Sequence, residues 1–126
     1  MPRTDRPIVL IVTTDARVLQ AAHSLPQDRF EVGYARSSQE ALAVARQDPP
    51  EVAVLELRSG DFGGFALAKE LRDIPGMPPF KLVMTCDRPH DRWLCRQAGA
   101  ESVLVKPLSD PSALLEALDS VLQLTG

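Results

Sequence analysis

Cysteine is scarce in this chain, and its scarcity closes several routes. Cys86 and Cys95 are the only two in 126 residues. They form no CxxC redox pair, and two alone cannot frame a zinc site. They read as reduced thiols in or near the core, because a disulfide is unusual in an intracellular chain. Long apolar runs are missing too. No run is longer than Ile8–Val12, which is far too short to cross a bilayer, so no membrane role is expected. A signal-peptide pattern is absent: Asp5 and Pro7 break up the first residues and the apolar run stops at Thr13, which makes the cytoplasm the expected location. Charge of one sign is not in excess. The net charge is −3 with no basic stripe along the sequence, so no nucleic-acid footprint is expected. Glycine builds no phosphate cradle, since Gly63-Gly64 lacks a GxGxxG or Walker pattern and Thr13-Thr14-Asp15 contains no glycine at all. His23 and His90 have no partner at ligand spacing and are expected at the surface.

What is present is a set of buried-strand segments alternating with helices. The organising one is Val52–Leu57, an apolar run with a single carboxylate, Glu56, near its end. Such a run reads as a strand covered on both faces, the middle of a parallel sheet. Ile8–Val12, Phe30–Tyr34, Lys81–Met84 and Ser102–Val105 read as the other four strands. Between them, helical spacing covers Ala16–Leu25, a stretch opened by a Ser37–Glu40 capping box and closed before Pro49-Pro50, Phe65–Arg72, about Asp91–Ala98 with Gly99 as its cap, and a last helix after Ser109-Asp110-Pro111. Five strands alternating with five helices predict a doubly wound α/β domain. In such sheets, ligands bind beyond the carboxyl ends of the strands. Those ends carry Thr13-Thr14-Asp15, Glu56, Thr85 and Lys106-Pro107.

This order of strand-end residues resembles the receiver domain of two-component response regulators. The strongest local matches are Thr85, Ala98-Gly99-Ala100 and Val105-Lys106-Pro107, with Asp61-Phe62-Gly63-Gly64-Phe65 similar to the family's glycine-containing loop. The resemblance covers residues 1–126, with a core of about 7–124, and implies a flavodoxin-like five-stranded sheet in the order 2-1-3-4-5. In the family, an acidic pair after the first strand holds Mg²⁺ and an Asp after the third accepts a phosphoryl group. A hydroxyl and a lysine on the next two strands contact that group. The acidic pair falls here on Thr13 and Thr14, the acceptor on Glu56, the hydroxyl on Thr85 and the lysine on Lys106. Cys86 falls where the family usually has a small residue, Gly60 where a proline is common in the acceptor loop, and Val103 where many members carry an aromatic switch residue.

The departures have physical consequences. Mg²⁺ needs hard, charged oxygen ligands to offset its dehydration, and threonine hydroxyls are neutral. Glutamate is one methylene longer than aspartate, so its carboxylate is displaced by more than about 1 Å from the acceptor position. The expectation is therefore a degenerate receiver, a pseudo-receiver or atypical response regulator. It would be a signalling and protein-interaction module rather than an enzyme, with Mg²⁺ binding lost, no other cofactor and no need of the phosphorelay. Asp15 fits best as a helix cap. A working receiver that uses Asp15 for the metal and Glu56 as acceptor is the first alternative. A small flavodoxin-like ligand-binding domain is the second.

Glu56 and Lys106 cancel in charge and map to neighbouring strand ends. They would form a direct ion pair or share Thr85 as a bridge; otherwise Glu56 faces water. The resemblance also implies that the face of the fourth helix, fifth strand and fifth helix contacts a protein partner or a second copy in a homodimer. Arg92, Trp93 and Arg96 lie on that helix. Trp and Arg are enriched at interface hot spots. Trp93 either serves there or packs over the sheet.

Overall fold

Strands with no polar face need cover on both sides, and this chain supplies it. A computed structural model describes residues 6–59 and 62–123. Five parallel strands make one sheet: β1 (Ile8–Val12), β2 (Glu31–Ala35), β3 (Val52–Glu56), β6 (Lys81–Cys86) and β7 (Ser102–Val105). Their order is β2-β1-β3-β6-β7, which is 2-1-3-4-5 when only the parallel strands are counted. The short strands β4 (Arg58–Ser59) and β5 (Phe62–Gly63) pair antiparallel where the sequence read as plain loop. Gly60 and Asp61 lie outside the described residues, as does all of the Met1–Arg6 lead-in except Arg6.

The helices are α1 (Ala16–His23), α2 (Ser38–Gln47), α3 (Gly64–Arg72), α4 (Arg92–Gln97) and α5 (Ser112–Gln123). They divide between the two faces of the sheet. Alternate residues of β1 and β3, Leu10, Val12, Ala53 and Leu55, pack with Ala41, Leu67, Leu71 and Cys95 from α2, α3 and α4. The intervening residues, Val9, Ile11, Val52 and Val54, pack with Val18, Leu114 and Leu118 from α1 and α5. Every residue of β3 is buried. Each such aliphatic side chain contributes about 2 kcal/mol when fully covered, so β3 holds its central place only between two helical layers.

Local chemistry sets the element ends. The Asp15 carboxylate accepts from the backbone N–H groups of Arg17 and Val18 and so starts α1. Ser37 caps α2 by accepting from the Glu40 N–H, while the Glu40 carboxylate reaches back to the Arg36 N–H. Gly99 (φ +98°) ends α4, where the Gly99 N–H bonds to Arg96 and the Ala100 N–H to Cys95.

Several boundaries differ from the sequence reading, among them β2, which runs Glu31–Ala35 rather than Phe30–Tyr34. The α1 helix stops at His23, two residues before Leu25. A 3₁₀ turn over Pro89–Asp91 takes in Asp91, the first residue expected of α4. β6 runs on to Cys86, because Lys106 donates its N–H to the Cys86 carbonyl at 2.7 Å and so extends the ladder.

Cys86 and Cys95 are both buried as free thiols. Burial, reinforced by the neighbouring Cys86, pushes the Cys95 thiol up to about 12. His23 and His90 are exposed. No helix among the described residues is long and apolar enough to cross a membrane.

Candidate functional site

Register and side-chain alternation assemble the site. Val12 pairs with Leu55 and Glu56 with Thr85, so Glu56 lies between Thr13 on one side and Thr85 on the other. Cys86 pairs with Val105, which sets Asp87 and Lys106 side by side. Thr13, Glu56, Thr85 and Lys106 each come two residues after a side chain packed on the α1–α5 face: Ile11, Val54, Val83 and Leu104. With a side-chain period of two, all four project to that face at the carboxyl edge of the sheet.

The Glu56 carboxylate is the centre. It is 2% exposed, and its Oε2 accepts a hydrogen bond of 2.6 Å from the Thr13 hydroxyl and one of 3.2 Å from Lys106 Nζ. The Thr13 hydroxyl in turn accepts from the Asp15 N–H at 2.9 Å. The suggested ion pair is therefore direct. No hydroxyl bridges the pair: the Thr13 hydroxyl donates to Glu56 beside Lys106, and Thr85 takes no part. Thr85 Oγ1 is buried without a hydrogen-bond partner among the described residues. Thr14 is exposed at the rim.

Lys106 has more company than its pairing with Glu56 implied. Asp87 Oδ1 lies 3.6 Å and Asp15 Oδ2 3.7 Å from its ammonium. Burial alone would lower the Lys106 pKa, but Glu56 foremost, with Asp87 and Asp15, outweighs it and holds the value above the ordinary 10.5. Lysine is thus charged at neutral pH, and three carboxylates surround one cation. The simple cancellation of Glu56 by Lys106 leaves out two of them. The sequence reading ends this strand at Met84, and only its extension to Cys86, paired with Val105, brings Asp87 beside Lys106.

The donor set bears on Mg²⁺. The two positions that would carry its acidic ligands are threonines. Thr13 directs its proton, not a lone pair, toward Glu56, and Asp15 is turned to its helix and to Lys106. Among the described residues, no three His, Cys, Asp or Glu side chains are grouped so as to hold a metal ion. Neutral hydroxyls thus stand where a receiver-type Mg²⁺ site has its acidic pair. A recess of about 530 Å³, lined by Glu51, Phe80, Lys81 and Glu101 among others, lies at the opposite, amino end of the strands and does not serve this one.

A second carboxylate escaped the sequence reading. Asp91, 4% exposed, opens α4, and its Oδ2 accepts from Arg58 Nη1 and Arg88 Nε, each at 3.4 Å. Arg58 is 33 positions away in sequence and arrives through β4, so no local pattern announces the contact. Trp93, which the sequence placed either on the sheet or at the surface, is 61% exposed, with Arg92 and Arg96 exposed beside it.

Comparison with known proteins agrees with this architecture. The model of the response regulator receiver domain matches residues 9–119. The probable transcriptional regulatory protein TcrX of Mycobacterium tuberculosis is 30% identical over 130 residues, covering 100% of this chain and 55% of that protein. Response regulator PleD of Caulobacter vibrioides is 30% identical over 101 residues, covering 79% of this chain and 22% of PleD. The chain thus spans about half or less of the length of these two curated relatives. Among solved structures, the Vibrio cholerae chemotaxis protein CheY4 superposes with a TM-score of 0.79 at 26% identity, over 92% of this chain and 98% of CheY4.

Proposed function

This chain belongs to the response regulator receiver domain family, and from that membership we propose that it is an atypical receiver that signals through protein contacts without Mg²⁺-dependent phosphoryl acceptance. The observation that carries the reading is the state of Glu56. Its carboxylate is engaged by the Thr13 hydroxyl and the Lys106 ammonium, so the position of the phosphoryl acceptor is already neutralised from within the chain. A transferring phosphoryl group needs its developing charge balanced, usually by metal ions. Here two hydroxyls replace the acidic pair. The same ion pair holds the site in one arrangement with no kinase required.

In this reading the chain is not an enzyme and works in the cytoplasm. Its output passes through the face built by α4, β7 and α5, where Trp93 is exposed, to a partner protein or to a second copy in a homodimer. Val103 on β7 is too small for a large aromatic rotamer change, which supports a module fixed in one state. One observation favours the alternative of a working receiver: Asp15 and Asp87 bring two more carboxylates to Lys106.

Phosphoryl loading separates the two readings. Incubated with Mg²⁺ and acetyl phosphate, the chain is expected to keep its unmodified mass, and its Thr13, Thr14, Glu56, Thr85 and Lys106 amide resonances are expected to stay in place when beryllofluoride and Mg²⁺ are added. A Mg²⁺-dependent adduct on Glu56, or saturable shifts of those resonances, would overturn the proposal.

A further inference from the structure

The fold gathers arginines that the sequence keeps apart. Arg58 and Arg88 converge on the buried Asp91, and both side chains remain more than half exposed, at 59% and 58%. Arg92 follows directly, and Arg96 lies one turn on at the spacing that shares a helix face. Trp93, three residues before Arg96, stands among them at 61% exposure. Asp91 neutralises one of the four guanidinium charges and is itself covered, so the rim presents net positive charge around an apolar ring. This is a local reversal, because the whole chain carries −3.

We propose that Arg58, Arg88, Arg92 and Arg96 around Trp93 form a docking surface for an acidic protein segment that carries a large apolar side chain. The proposal rests on the reading that this chain works through protein contacts, and it names the chemistry of the partner. Charge complementarity selects the acidic segment: guanidinium forks pair with carboxylates, and an exposed Trp offers the apolar anchor typical of interface hot spots. A second copy is disfavoured, because a two-fold contact centred on Trp93 sets one arginine cluster against the other. Nucleic acid and anionic membrane are disfavoured because binding a polyanion draws on many phosphate contacts, and the net negative charge of the chain opposes them.

Arg58 also gives the surface a link to the site. It stands two residues after Glu56, and its guanidinium reaches the first turn of α4 through Asp91. A partner that draws Arg58 away from Asp91 pulls on the loop that follows the Glu56 strand.

The chain holds a single tryptophan, so its emission reports this surface alone. The probe is a short synthetic peptide of aspartate and glutamate around a Leu-Phe pair. It is added without Mg²⁺ or phosphodonor, so the result does not depend on the chemistry at Glu56. The expected result is a saturable change in Trp93 emission that weakens with added salt. Replacing both surface arginines (R92Q and R96Q) should weaken binding about tenfold or more, with the far-ultraviolet circular dichroism unchanged. The proposal is overturned by any of three results: no saturable response, an equal response to the peptide with lysine in place of its acids, or tighter binding to single-stranded DNA or to vesicles of phosphatidylserine in phosphatidylcholine.

Discussion

Lys106→Met is expected to lower the stability of the fold by about 3 kcal/mol. Methionine keeps most of the length of the side chain and removes the ammonium. Glu56 then stays buried with the Thr13 hydroxyl as its remaining partner. Losing one member of a buried pair strands the other charge, which costs far more than losing a surface pair. The hydrogen bond from Thr13 and the partial exposure of Lys106 keep the loss at the low end of that range. Adding Glu56→Gln in the same background removes the stranded charge and should recover part of the loss. Urea denaturation at neutral pH measures both variants, and a loss below about 1 kcal/mol would mean the pair acts as an exposed one.

The pH dependence of that gap follows from the Lys106 pKa. Burial lowers it, but Glu56, Asp87 and Asp15 together raise it above the ordinary 10.5. A lysine raised in the folded state stabilises fully below its unfolded pKa, and the effect fades as pH climbs through the folded one. The difference between the parent chain and Lys106→Met should therefore be level from about pH 6 to 9 and shrink only at pH values above 10.5.

Gly64→Ala is expected to be at least as damaging, for a reason that has nothing to do with charge. A Cβ on Gly64 would lie 2.2 Å from the Glu56 carbonyl oxygen and 2.8 Å from Met84 Cε. The methionine can move, but the carbonyl belongs to the central strand. Relief requires α3 to shift off the sheet, at about 3 kcal/mol and a melting point about 10 °C lower. Gly63→Ala is the control. Its Cβ meets only the Leu57 carbonyl at 3.6 Å, an ordinary contact, so it should be nearly neutral. Equal melting points for the two variants would show that the approach of Gly64 to β3 is not a constraint.

Much of this was legible in the residues because buried parallel strands announce themselves as apolar runs. Ile8–Val12 and Ser102–Val105 lie where those runs predicted them, and the Val52–Leu57 run forms β3 over Val52–Glu56. The strand-end residues followed, since strand order places them together once the fold is known. The partner of Glu56 did not follow. Thr13 and Thr85 are both its register neighbours, and only the packed side chains decide that Thr13 takes the bond. Asp87 was missed because one hydrogen bond, Lys106 to Cys86, decides where β6 ends. Asp91 was missed because a buried acid is stable only beside its cations, and one of these, Arg58, comes from across the fold. Periodicity sees neighbours along the chain, not those that arrive from another loop.

The two buried thiols turn the molecule into its own clock. Burial, with Cys86 beside it, holds the Cys95 thiol well above its ordinary range, so it stays protonated and unreactive at about pH 8. With Cys95 shut in the core at 0% exposure and Cys86 at 2%, an aromatic disulfide reagent has almost nothing to attack while α4 rests on β6. With enough reagent that attack outpaces reclosing, colour develops at the rate at which that layer parts from the sheet; with less, it follows the fraction open.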